Sequence, residues 1–217
     1  MSDIFREVDE EVRREQLQQL WGRYGTYLLI LAVLIVAGVA GWRGYEYWEA
    51  KKAAEAGSAF ESAVALSQQG KHAEAEQAFA KIATDSSSGY RQLARMREAG
   101  EMSNRDPKAA IKLYEGIAAD GSTGQVVQDL ATVRAALLQV DSASYEDLRG
   151  RLEPLTAAER PFRHTAREIL ALSASRAGDA TNTKRWSDMI LTDSETPSGV
   201  RSRIEMLMAL AAAEGKS

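Results

Sequence analysis

The sequence predicts an all-α protein with an N-terminal helix, a single transmembrane helix, and a helical repeat domain of about four helix pairs closed by a capping helix. Three observations predict it. A run of 19 residues, Tyr24 to Trp42, carries no charge. The chain after it is dominated by Ala, Leu, Glu, Gln and Arg and lacks the alternating β-branched runs that are typical of strands. Within that later part, an apolar helix face recurs about 35 positions apart.

Residues 1–23 are predicted to form an amphipathic helix on the cytoplasmic side of a membrane. Phe5, Val8 and Val12 lie at helical spacing and make a narrow apolar stripe on this charged segment. Its acidic side chains outnumber its arginines, so an anionic lipid surface would repel it. Two interpretations stay open: this helix contacts a protein partner, or it is simply solvated beside the membrane.

The uncharged run at residues 24–42 predicts a transmembrane anchor. As a helix it would be about 28 Å long, close to the roughly 30 Å thickness of a hydrocarbon core. Aromatic side chains cluster at both of its ends, as is typical of the two headgroup levels: they are Trp21, Tyr24 and Tyr27, then Trp42, Tyr45, Tyr47 and Trp48.

Two alternatives to the anchor are a cleaved signal peptide and a buried core helix. A signal peptide begins with a short basic segment, whereas the segment before this run is long and acidic. A buried core helix needs no aromatic residues at its ends and usually shows a polar stripe. We therefore expect an uncleaved single-pass anchor at 24–42, followed by a juxtamembrane linker helix at 43–52.

Basic residues flank the anchor about equally and do not decide its orientation. A short N-terminal tail beside a large C-terminal domain favours a cytoplasmic N-terminus and an external C-terminal domain. The sequence contains no cysteine, which is compatible with an oxidising compartment.

Residues 53–217 are predicted to form the repeat domain. The apolar face of Ala75, Phe79 and Ile82 recurs 35 positions later as Ala110, Tyr114 and Ile117. A looser third copy, Leu148, Leu152 and Leu155, follows after a further 38 positions. A helical run precedes each copy, at 53–69, 89–103 and 126–140.

A helix pair that repeats near 35 residues is similar to the tetratricopeptide motif, whose period is about 34 residues. The small residue followed four positions later by a bulky one, as in Ala75 and Phe79, resembles the second helix of that motif. A fourth pair is predicted around Ile169 and Trp186, and a helix at 198–214 would cap the end of the repeats. The alternative is an unrelated helical bundle with chance periodicity.

The opening SDIFREVDEEVRREQLQQLWGRYG, the anchor after it, the repeats and the ending DSETPSGVRSRIEMLMALAA together resemble the YfgM-like family of bacterial tetratricopeptide proteins. This resemblance implies an inner-membrane protein with its N-terminus in the cytoplasm and its repeats in the periplasm. It implies a noncatalytic adaptor, ancillary to the SecYEG translocon, whose partners include a membrane-bound periplasmic chaperone such as PpiD. The related repeat domain of the cell division coordinator CpoB keeps an alternative open, an envelope scaffold for cell division or wall growth.

No catalytic, cofactor-binding or metal-binding residues are predicted, so an enzyme is the less favoured alternative to a binding protein. The two histidines, His72 and His164, have no neighbouring ligand-type residues at metal-binding spacing, and both are expected to be solvated at the surface. A net charge of −4 with scattered basic residues gives no nucleic-acid-binding footprint. We therefore expect protein partners, and neither nucleic acid nor a small-molecule substrate.

The partner-binding surface is expected on the concave wall made by the first helix of each pair. Arginines are its candidates, because a guanidinium binds carboxylates or peptide carbonyls through several donors at once. They are Arg91, Arg95, Arg134, Arg163 and Arg167. The alternative is that these arginines are solvated charges on helix faces.

Overall fold

The computed structural model describes residues 2–86 and 88–214, with side chains described for 21–86 and 89–213. All regular structure in these residues is helical, which confirms the all-α prediction for them. The α-helices are α1 (Ser2–Gln68), α2 (His72–Asp85), α3 (Ser88–Met102), α4 (Pro107–Ala118), α5 (Gln125–Gln139), α6 (Tyr145–Leu152), α7 (Arg163–Arg176), α8 (Ala180–Leu191) and α9 (Ser198–Glu214). The chain divides into two compact units, one ending at Ala54 and the other beginning at Glu55.

The first unit consists of the N-terminal part of α1. Its apolar and aromatic side chains from Trp21 to Trp48 are exposed almost throughout. Among the described residues, α1 is the helix that is long and apolar enough to cross a membrane, judged by length and composition. Beyond the apolar stretch, the Lys52 ammonium lies 3.7 Å above the Trp48 ring. The predicted stripe of Phe5, Val8 and Val12 lies outside the described side chains.

The helices of the second unit begin and end at residues suited to those positions. Asp106 caps α4 by accepting a hydrogen bond from the Ala109 N–H at 3.0 Å, and Pro107 begins the helix, where a missing N–H has no consequence. Gly70 and Gly178 turn the chain between helices with φ of +76° and +72°, a region where a Cβ would be strained. These residues separate the helices of the first and fourth pairs.

Consecutive helices from α2 to α9 pack against one another along the chain. The predicted repeat positions on α2 and α4 are all buried: they are Ala75, Phe79 and Ile82, then Ala110, Tyr114 and Ile117. Phe79 packs with Phe60 and Ala63 of α1, and Tyr114 packs with Ala99 of α3 and Ala131 of α5. In each case the second helix of a pair fills the space beside first helices.

The third pair is shorter than the sequence predicts. Leu148 and Leu152 are buried on α6, but Leu155 belongs to a short 3-10 helix, Glu153–Leu155. Pro154 explains this difference, because it has no N–H with which to continue the α-helical hydrogen bonds. Leu155 remains buried in the same apolar cluster as the other two leucines.

The fourth pair, α7 and α8, buries Ile169 and Trp186. The last helix, α9, packs against both α7 and α8, with Val200 and Ile204 buried in the shared core. This helix therefore covers the end of the helix pairs within the described residues.

Candidate partner-binding surface

The first helices α3, α5 and α7 form what we call the first-helix wall. Large apolar side chains are exposed on it at Leu93 (54%), Val126 (58%), Leu137 (41%) and Leu172 (40%). The described side chains of the second helices α2, α4, α6 and α8 include none of comparable exposure. Since exposed apolar side chains are typical of interaction sites, and in the helix pairs these four lie on first helices, this wall is the candidate surface for a partner.

Two of the predicted arginines, on α3, hold loops between helices. Arg91 is exposed, and its Nη2 donates to the Ser86 carbonyl at 3.0 Å. Arg95 Nη1 lies 2.6 Å from Asp120 Oδ2, in the loop between α4 and α5. Hydrogen bonds from the Ser122 hydroxyl and then from Arg95 lower the pKa of Asp120 to about 2. Arg95 is therefore already paired with a carboxylate of its own chain.

The two predicted arginines on α7 hold the loop that follows α8. Arg163 Nε and Arg167 Nη1 lie 3.0 and 2.9 Å from the same oxygen, Asp193 Oδ2, and Arg163 also pairs with Glu195. Arg167 is buried, and its Nε and Nη2 donate to the Thr156 carbonyl at 3.1 and 2.7 Å. Hydrogen bonds from Arg163, the Glu195 N–H and Arg167 hold the pKa of Asp193 well below its usual range.

These contacts correct the expectation for Arg167 and Arg163. The Arg167 guanidinium is enclosed by carbonyl and carboxylate oxygens of its own chain, so its donors are not presented to a partner. The Arg163 guanidinium forms ion pairs with Asp193 and Glu195, two acidic residues of the same loop. Both residues fasten the loop between α8 and α9.

Arg134 differs from the other four arginines. It is exposed on α5, and within the part of the chain that the structure describes it forms neither an ion pair nor a side-chain hydrogen bond, whereas Arg91, also without an ion pair, donates to the Ser86 carbonyl. Arg97, which is absent from the arginines predicted from the sequence, has the same two properties on α3. The sequence does contain a signal for Arg97, because Leu93 and Arg97 recur 37 positions later as Leu130 and Arg134.

His72 does not stand alone at the surface as expected. Its Nδ1 lies 2.7 Å from Oε2 of Glu101, a carboxylate that is 7% exposed, and the Ser67 hydroxyl donates to the other oxygen at 2.6 Å. His72 thus joins the start of α2 to the end of α3.

His164 is buried, which corrects the expectation of a solvated side chain. The Thr196 hydroxyl donates to the Ile190 carbonyl at 2.7 Å, so at 3.1 Å from His164 it accepts from Nδ1–H. Burial, and then the charge of Arg163, lower the pKa of His164. The sequence alone could not show this, because Thr196 reaches His164 from a loop 32 positions away.

Comparison with known families assigns a domain to most of the chain. The model of a family described as a tetratricopeptide repeat-like domain matches residues 18–181. The match covers the first-helix wall and all five predicted arginines. No curated protein matches the chain, and no solved structure matches it.

Proposed function

The chain belongs to the tetratricopeptide repeat-like domain family, and from that premise we propose that it is a membrane-anchored, noncatalytic adaptor. Tetratricopeptide-like domains generally mediate contacts between proteins, so a role in protein–protein interaction follows from the family. The finer proposal is an ancillary subunit of the Sec translocon that links SecYEG to a periplasmic chaperone such as PpiD. It rests on the resemblance to the YfgM-like family in layout and in the quoted segments.

The proposed anchor is the apolar stretch of α1 at residues 24–42. Its side chains face outward without protein cover in the described structure, as suits a helix surrounded by lipid. Aromatic side chains stand at both ends of the stretch, as expected of residues that lie where headgroups meet the hydrocarbon. We propose that this helix crosses the inner membrane once, with the N-terminus in the cytoplasm and the repeat domain in the periplasm.

The observation that carries the adaptor function is the uneven distribution of exposed apolar side chains. In the helix pairs, the strongly exposed ones among the described residues lie on first helices, at Leu93, Val126, Leu137 and Leu172. A membrane tether would hold this surface close to partners in the same membrane and raise their effective concentration. Each contact with a partner would therefore need to contribute only a small binding free energy.

The noncatalytic part of the proposal is supported by the way in which the histidines are used. His72 is bound to Glu101, and His164 is enclosed with Thr196, so both serve contacts between helices and loops. Replacing both histidines by glutamine should keep partner binding in a chain that stays folded. Loss of binding in a folded double variant would reopen a chemical role.

Site-directed photo-crosslinking in intact cells tests the adaptor function. A photoreactive amino acid is placed on the wall at Leu93 or Val126, and at Lys108 or Lys112 of α4 as matched exposed controls. We expect adducts with SecYEG subunits or with the chaperone from the wall positions, and few from the controls. Adducts with cell division or wall-synthesis proteins would favour the scaffold alternative. Equal adducts from both sets would contradict the first-helix wall as the binding surface.

A further inference from the structure

His164 lies at the junction of α7, α8 and the loop that leads into α9, residues 192–197. The ring, on the first turn of α7, donates from Nδ1–H to the Thr196 hydroxyl at 3.1 Å. That hydroxyl donates in turn to the carbonyl of Ile190 on α8 at 2.7 Å. Thr196 stands two positions before Ser198, where α9 begins. These hydrogen bonds therefore connect α7 and α8 to the residues that lead into the capping helix.

The charged groups on the elements around this junction already carry a positive excess while His164 is neutral. The set contains four arginines and three acidic side chains, and each acid in it is paired with an arginine. The charged side chains of α8 pair with one another or with Glu153. The members of the set are Arg163, Arg167 and Glu168 of α7, Asp193 and Glu195 of the loop, and Arg201 and Arg203 of α9.

A proton on His164 would add a further positive charge to this enclosed set. Nδ1 already carries the hydrogen that Thr196 accepts, so the proton would bind Nε2. His164 is buried, so the charged ring would be poorly solvated. Burial, and then the charge of Arg163, lower the pKa of His164, while the charge of Asp193 opposes them. The neutral ring is therefore the form that fits the closed loop.

The capping helix α9 is held to α7 and α8 by few buried side chains. Among its described residues, Val200 and Ile204 are the buried ones, in the apolar cluster that also contains Trp186 and Ile190. α7, by comparison, has buried residues along most of its length. Because α9 is packed through one face only, we expect it to separate from the domain at a lower free-energy cost than α7 or α8.

We propose that protonation of His164 releases α9, so that the capping helix opens and closes the end of the repeat domain in response to pH. At neutral pH the contact between His164 and Thr196 holds the loop, and α9 covers the apolar cluster. At acidic pH the loop separates from α7, and water reaches the charged ring. The open state binds the proton more readily than the closed state, so falling pH shifts the equilibrium toward opening.

Opening of α9 changes the surface at the end of the fourth helix pair. Trp186 and Ile190 are both at 0% exposure in the closed domain, in the cluster that Val200 and Ile204 of α9 complete. Separation of α9 would uncover this apolar cluster at acidic pH. The proposal does not depend on which protein the repeat domain binds.

A distance between spin labels on α8 and α9 tests the opening. The chain has no cysteine, so two introduced cysteines define the labelled positions. Thr181→Cys and Ser202→Cys place the labels at exposed sites. Double electron–electron resonance is measured on the full chain in nanodiscs, at neutral pH and at about pH 5. We expect one narrow distance distribution at neutral pH and a several-fold larger population of longer distances at acidic pH.

Three variants and a second pair of labels serve as controls. His164→Gln keeps a donor for Thr196 and cannot be charged, so its distribution should stay narrow at both pH values. His72→Gln, the matched change at the other histidine, should respond as the native chain does. Labels at Lys81 and Lys108, which are exposed on α2 and α4, should keep their distance and so distinguish local opening from general unfolding. Thr196→Val should show longer distances already at neutral pH.

Three outcomes overturn the proposal. They are unchanged distances between α8 and α9 at the two pH values, a native response in folded His164→Gln, and equal broadening of the label pair on α2 and α4. If His164→Gln does not fold, Thr196→Val decides. Longer distances in this variant at neutral pH support the proposal, and a narrow distribution like that of the native chain contradicts it.

Discussion

The indole Nε1 of Trp186 donates a hydrogen bond to the Tyr145 hydroxyl at 2.9 Å, and both side chains are buried. The bond joins α8 to α6 across the third and fourth helix pairs. These two residues are 41 positions apart. The third pair, whose sequence repeat is the loosest, is thus secured by a polar contact as well as by its leucines.

Replacing Tyr145 by phenylalanine should lower the free energy of unfolding by about 1 to 3 kcal/mol, because the buried Trp186 N–H would lose its partner. Thermal unfolding of the full chain, followed by circular dichroism, measures the change. Tyr90→Phe is the matched control, since it removes a hydroxyl from a partly exposed tyrosine. Equal stability of the two variants would show that the bond is not maintained in solution.

The alanines at the repeat positions are enclosed, with Ala75 and Ala110 both at 0% exposure. Ala75→Leu or Ala110→Leu should overpack the contact between helices and lower the free energy of unfolding by about 1 to 3 kcal/mol. Ala73→Leu, at an exposed position of α2, should change the stability little. Unchanged melting of both buried variants would contradict the close approach of these helices.

Replacing Arg167 is expected to lower the free energy of unfolding, whereas replacing Arg134 is not. Arg167→Gln removes buried hydrogen bonds to Thr156 and Asp193 and should cost about 1.5 to 3 kcal/mol. Arg134→Gln removes an exposed charge without an ion pair in the described residues, so its melting should match the native protein. If the two variants had the same melting temperature, the hydrogen bonds of Arg167 to Thr156 and Asp193 would not contribute to stability.

His164 should make stability depend on pH on the acidic side of neutrality. In the unfolded chain its pKa is about 6.5, and burial lowers that pKa in the folded state. The unfolded chain therefore binds the proton first as pH falls, so stability is highest above pH 6.5, decreases below it, and levels off below the folded pKa. Melting temperatures of native protein and His164→Gln from neutral to mildly acidic pH check this. An identical decline in both would assign the dependence to other groups.

A phosphatase that is active only outside the cytoplasm, fused after Ser217, tests the proposed topology. We expect an active reporter, because the apolar helix at 24–42 would pass the repeat domain across the membrane. The mature protein should keep its residues before Trp21. An inactive reporter contradicts the external domain, and a mature N-terminus near Gly41 would show that the segment is a cleaved signal peptide.

The helices and their buried faces could be predicted closely from the sequence. Ala75, Phe79 and Ile82 share a face because residues three and four positions apart are neighbours on any α-helix, whatever the rest of the chain does. The end of the third pair was harder to predict, because Leu155 keeps its place in the core although Pro154 changes the helix type. Local spacing is therefore a good guide to burial and a weaker guide to helix boundaries.

By itself, the sequence determined the all-α class, the helix able to cross a membrane, and the period of the helix pairs, since these follow from neighbours along the chain. The tertiary structure decided which charges remain available. Arg95, Arg97, Arg134 and Arg167 look alike in the sequence, yet Arg95 pairs with Asp120 and Arg167 with Asp193, 25 and 26 positions away. An ion pair depends on where a loop distant in sequence places its carboxylate. The helical period of the sequence does not specify that position.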